Sequence, residues 1–156
     1  MLLDEIDAGN AGILTGINMA TSNGVMSTPA GMIKKHKDFI LIAGANTFGT
    51  GASAEYVGRN PLCKSTMDRF KSLEWNYDQS FEMHLAGPDT EQERDYVALV
   101  QKMRATAEEL GIKVIISPRA SIDGVKMLRA GIPVEDCLQL SVFAGLDSET
   151  ASKLRG

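Results

Sequence analysis

Two adjacent carboxylates, Asp4 and Glu5, end the apolar run Met1-Leu2-Leu3 and are followed by Ile6-Asp7. An apolar strand that closes in acids places them where it leaves a sheet. The C-terminal edge of a parallel sheet is where open α/β proteins gather ligands. Neighbouring side chains on extended backbone point to opposite faces, so the two acids can do separate work. One suits Mg²⁺, which takes oxygen ligands and is usually held by one or two carboxylates together with substrate phosphates. The other can orient and deprotonate a water. An acidic surface turn is the simpler reading of so short a string, and the rest of the chain has to decide between them.

Other side chains extend the list. Asn46 follows the apolar run 39–43 through Gly44-Ala45. Its amide can hold a water or a phosphate oxygen, or merely cap a turn. Arg119, in Ser117-Pro118-Arg119, falls in the first turn of an expected helix, where the positive end of the helix dipole disfavours a cation. A residue that breaks a local rule is a candidate for function. An anion there would meet both the guanidinium and free backbone N–H groups. Arg69, between Asp68 and Phe70, and Arg59, between Gly58 and Asn60, are each a cation that could be aimed across a surface. Either could equally be a surface ion pair of little energetic worth. Residues 49–54 fit the GxGxxA of dinucleotide-binding turns, but Asn46-Thr47-Phe48 separates them from the strand, which argues against a Rossmann-like nucleotide binder.

The elements that would position these groups follow from patterning. Residues 10–23 read as a helix with Ile13, Ile17 and Ala20 on one face, Asn10 as N-cap and Gly24 as its stop. Val25 to Lys35 reads as a β-hairpin around Pro29-Ala30-Gly31. Residues 39–43 are apolar at every position, as in a central strand covered on both faces. Pro61 opens a short helix reaching Phe70, and the alternation of Leu73, Trp75 and Tyr77 with polar residues predicts a half-buried strand. Near Gly87 the character becomes helical. Thr90 and Glu93 form a capping box before the stripe Tyr96, Leu99, Val100, Met103, Ala107 and Leu110. Ser117-Pro118, Pro133 and Asp147 start three further helices. The methionines, Met19, Met26, Met32, Met67, Met83, Met103 and Met127, read as core filler.

With 156 residues, 44% hydrophobic and 23% charged, the chain suits one globular domain with a real core. A net charge of −4 without a basic tract gives no sign of a nucleic-acid or membrane surface. Cys63 and Cys137 form no CxxC pair and read as reduced thiols of a cytoplasmic protein. Only His36 and His84 offer imidazole, so a zinc site is not expected. The chain opens inside what reads as a core strand, which predicts a fragment.

The series of acid pair after a strand, hairpin, buried strand ending in Asn, Asp-Arg-Phe helix end and Ser-Pro-Arg helix start resembles the AAA+ ATPases, in particular their MoxR and CobS-like branch with its phage-type members. The resemblance implies an α/β fold. Residues 1–87 would be part of a P-loop NTPase core, strands three to five with the hairpin before sensor 1, and residues 88–156 a helical lid. It implies that Asp4 and Glu5 end the Walker B strand, with Asp4 on Mg²⁺ and Glu5 activating water. Asn46 would be sensor 1, Arg69 the arginine finger with Arg59 in reserve, and Arg119 the sensor 2 residue on the γ-phosphate of ATP. It further implies a homo-oligomeric ring, a hexamer by family habit, that remodels a protein client, often with a von Willebrand-type partner. No GxxxxGK[ST] occurs in the chain. Strand one, which in the family separates strands four and five, is then missing too, so the strand at residues 73–77 would lack its partner. A non-catalytic protein-binding module is the alternative from another class.

Overall fold

The computed structural model describes residues 1–53 and 56–156. The chain divides into two compact units, Met1–Glu74 and Trp75–Gly156. The division falls inside the expected strand at residues 73–77, ahead of the expected boundary at 87/88.

In the first unit, β1 (Leu2–Leu3) leads through a 3-10 turn (Ile6–Ala8) to α1 (Ala11–Asn23). Asn10 caps α1 by accepting from the Gly12 N–H at 2.8 Å, and Gly24 ends it in the left-handed region. Ile17 is buried, whereas Ile13, expected on the same face, is 63% exposed. β2 (Val25–Thr28) and β3 (Gly31–Lys34) form the expected antiparallel hairpin. β4 (Ile42–Ala43) then pairs with β1 in parallel, Leu2 opposite Ile42 and Leu3 opposite Ala43.

Three expectations for this unit are corrected. The run 39–43 is not a central strand covered on both faces, for Ile40 and Ile42 are 70% and 60% exposed. Among the described residues β1 and β4 have no third strand beside them, so the pair has an edge without a ladder partner on each side. The helix expected from Pro61 to Phe70 contracts to α2 (Lys64–Met67). Residues 73–77 form no strand, and Leu73 and Trp75 are 77% and 88% exposed. Alternation provides a face to bury, but a strand also needs a neighbour to receive its backbone hydrogen bonds.

The second unit is helical: α3 (Gln79–Ala86), α4 (Glu91–Glu109), α5 (Pro118–Arg129), α6 (Val134–Ser141) and α7 (Ser148–Arg155). The Thr90/Glu93 capping box, Pro118 at the start of α5 and the Asp147 cap of α7 are all present. α3 escapes the sequence reading, although Asp78 caps it and Gly87 ends it, and it is what moves the division upstream. Tyr96, Val100, Met103 and Ala107 point from α4 into a core with Ile116, Cys137, Leu138, Phe143 and Leu154, while Leu110 stays 57% exposed. Of the methionines, Met103 is buried and Met83 and Met127 pack beside cores, but Met19, Met26, Met32 and Met67 are exposed and do not act as filler.

A buried ion pair fastens this unit. Arg104 of α4 grips Glu82 of α3 through both terminal guanidinium nitrogens, at 2.7 and 2.8 Å, and Ser121 of α5 donates to the same carboxylate at 2.6 Å. Arg104 also donates from Nε to the Ile116 carbonyl and stacks on the Tyr77 ring. Glu82 is 1% exposed, so every partner matters.

Candidate functional site

Parallel pairing carries β1 and β4 to a common C-terminal edge. The Gly44 N–H donates to the Leu3 carbonyl at 2.8 Å and the Ile6 N–H to the Gly44 carbonyl at 2.9 Å, so the ladder runs past both strand ends. Asp4 therefore lies beside Gly44, and Asn46 follows two residues later along the chain. A Cβ on Gly44 would sit 3.0 Å from Asp4 Oδ1, so a side chain there would push that carboxylate aside. Asp4 and Asn46 are exposed at this edge. Asp4 Oδ1 accepts from the Glu5 N–H at 3.0 Å.

Glu5 is the one non-glycine residue in the left-handed region among those described, at φ 51° and ψ 46°. Such a conformation is uncommon for a residue with a Cβ and is found at functional turns. Its carboxylate is not idle: Arg59 Nη2 donates to Glu5 Oε1 at 3.0 Å. That hydrogen bond is the main cause raising the Arg59 pKa above its usual value. The second guanidinium nitrogen of Arg59 reaches Asp7 Oδ1 at 3.5 Å.

Asp7, given no role by the sequence reading, is the hub of this edge. It is fully buried. Its Oδ2 accepts from both the Thr47 N–H, at 3.0 Å, and the Thr47 hydroxyl, at 2.9 Å. Its own carbonyl accepts from the Asn60 N–H at 2.7 Å. One carboxylate thus joins the turn after β1, the turn after β4 and the loop that carries Arg59. The signal was present as the third acid of Asp4-Glu5-Ile6-Asp7, with Thr47 next to Asn46, but no spacing rule links positions so distant in sequence.

Arg69 is exposed and tied within its own unit, Nε to the Ser22 hydroxyl of α1 at 2.6 Å and Nη1 to the Ser65 carbonyl. The glycines of the 49–54 string serve packing. Gly49 has a positive φ, and a Cβ on it would strike the Met67 sulfur at 2.8 Å. The next helix in the described residues is α2, so this string opens no helix of its own; Ala54 lies outside the described residues. Arg119 belongs to the second unit, exposed in the first turn of α5. Ser117 takes the N-cap backbone geometry there without a capping bond from its side chain.

Among the described residues no group of three His, Cys, Asp or Glu is placed to hold a metal ion. A lone exposed carboxylate such as Asp4 does fit Mg²⁺, which ordinarily keeps waters and completes its shell with nucleotide phosphates. No described helix is long and apolar enough to cross a membrane. No protein-family model matches the chain, and no curated protein matches it either.

Proposed function

We propose that this chain supplies the Walker B, sensor 1, arginine-finger and sensor 2 side of an ATP-hydrolysing AAA+ remodelling ATPase. The observation that carries this reading is the parallel, in-register pairing of β1 with β4, with an acid pair closing one strand and Asn46 following the other. Between the two strands lie α1 and the β2–β3 hairpin, the hairpin in the place before the second strand that the resemblance gives it. In this reading Asp4 holds Mg²⁺, which when bound would offset phosphate charge. Glu5 takes the proton of the attacking water, and Asn46 orients that water against the terminal phosphate. Arg119 meets the γ-phosphate of its own subunit, and Arg69 that of a neighbour in a ring, taken as a hexamer. The product is motion of the helical unit that remodels a protein client, with a von Willebrand-type partner where the relatives of this branch use one.

A phosphate-cradling Gly-rich loop with its lysine has to come from elsewhere, since these 156 residues contain none. The purified chain is therefore expected to show no ATP turnover. Coding DNA read in frame upstream of Met1 is expected to contain GxxxxGK[ST]. In a polypeptide that includes that loop, Glu5→Gln should retain ATP without hydrolysing it, and Arg69→Ala should bind ATP without turnover. Hydrolysis by the 156-residue chain alone, or unimpaired hydrolysis in Glu5→Gln, would overturn the reading. The exposed apolar residues Leu2, Ile40 and Ile42, with Met32 and Ile33 of the hairpin, favour a second reading as a non-catalytic module that binds a protein partner. Loss of the upstream motif would select it.

A further inference from the structure

Arg59 is built into the unit that carries Glu5. Its side chain is only 13% exposed, although it sits in a loop. It spans two acids of different character: Glu5, whose side chain is 57% exposed, and Asp7, which is wholly buried. Asp7 in turn is fixed by two bonds from Thr47. The rigid end of this relay is therefore Asp7 and the adjustable end is Glu5. A planar guanidinium can serve both carboxylates at once, which an ammonium on a flexible stem does poorly.

We infer that Arg59, braced by Asp7, is the positioning residue for the Glu5 carboxylate within its own subunit, not a cation presented to a neighbour. The relevance to catalysis rests on Glu5 being the base; the positioning does not. Arg59 holds the Glu5 side chain in one direction above a backbone that is itself in an uncommon conformation. An anion arriving at this edge would compete for the same guanidinium, so the Arg59–Glu5 pair marks the resting arrangement of the site. Arg69, engaged among the described residues with a serine hydroxyl and a backbone carbonyl, keeps the neighbour-facing role.

The test uses the full 156-residue chain without nucleotide and reads two signals by NMR. One is the Hα–Hβ coupling pattern of Glu5, which reports whether its side chain keeps one rotamer. The other is hydrogen-exchange protection of the Thr47 amide, which reports the Asp7 turn. In the wild type Glu5 should show a single rotamer. Arg59→Gln should average it while Thr47 stays protected. Arg59→Lys should restore the single rotamer in part, and it keeps the test open should the glutamine variant not fold. Asp7→Asn should average Glu5 as well, because the brace is gone. Couplings already averaged in the wild type, or unchanged in Arg59→Gln, would overturn the inference. So would loss of Thr47 protection together with Glu5 order, which would make Arg59 a general staple of the turn. If Arg59 orders Glu5 but a polypeptide carrying the upstream loop never hydrolyses ATP, the nucleotide reading falls and the pairing stands. The opposite pattern leaves the ATPase and removes Arg59 from its machinery.

Discussion

At Gly124 the α5 backbone leaves no space for a side chain. A Cβ there would lie 2.0 Å from Cε1 of Tyr96 and 2.3 Å from its Cζ and hydroxyl oxygen. Tyr96 cannot retreat, being 1% exposed with its hydroxyl donating to the Ala120 carbonyl. Gly124→Ala is therefore expected to destabilise the helical unit by about 1–3 kcal/mol or more, the usual cost of overpacking, despite the better helix propensity of alanine. Urea unfolding measures it. Tyr96→Phe should not rescue the variant, because the ring carbons collide, whereas a smaller aliphatic side chain at 96 should. An unchanged midpoint in Gly124→Ala would show that the two helices are not packed this closely. The same scale explains Asp7. Its importance lies in what surrounds it, and a single letter in the sequence does not reveal a carboxylate with three protein donors.

Between elements, Glu82 with Arg104 and Ser121 forms a buried joint that ties α3 to α4 and α5. Burial pushes the Glu82 carboxyl up, but hydrogen bonds from Arg104 and Ser121 and the Arg104 charge outweigh it, and the pKa ends below the ordinary value. A carboxylate depressed on folding adds stability above its unfolded pKa of about 4.3 and loses it as pH falls through the folded value. Glu93 with Arg129, Glu135 with Arg155 and Asp147 with the Thr150 N–H are depressed too and add the same sign. The helical unit should thus melt at progressively lower temperature below about pH 4.3, as followed by circular dichroism. Glu82→Gln should flatten that pH dependence in part. It should also cost about 3–5 kcal/mol at neutral pH, because Arg104 is left buried without its counter-charge. A pH profile identical to the wild type would show that this pair does not govern acid stability.

For the whole molecule, the exposed stretch 71–78 without helix or strand is where the two compact units divide. Exposed irregular backbone is the preferred substrate of proteases. Chymotrypsin should cut first at Leu73 or Trp75 and leave a resistant fragment running to Gly156, identified by mass spectrometry. Early cuts inside α4 or α5 would mean that the helical unit does not hold together as described. The first unit is expected to be the more fragile. Its parallel pair exposes Leu2 and Ile42, and the run before β4 exposes Ile40, while the second unit gathers most of the buried apolar residues.

How much of this was legible depended on whether the interaction was local. The helix caps at Asn10, Thr90 and Asp147, the stop at Gly24, the hairpin around Gly31 and the stripe on α4 are set by residues within a turn or two of each other. Patterning by itself determined them. The sequence also determined which residues could do chemistry at the end of β1. It did not determine whether 73–77 would be a strand, because pairing depends on a neighbour that sequence distance conceals. Nor could it show that α3 belongs with the helices after it, since that follows from a buried Glu82 meeting Arg104 in the next helix. Only tertiary structure brought Asp7, Thr47 and Arg59 together around Glu5. Hydrogen bonds and ion pairs act over a few ångströms of space, and no local pattern records which distant segments will come that close.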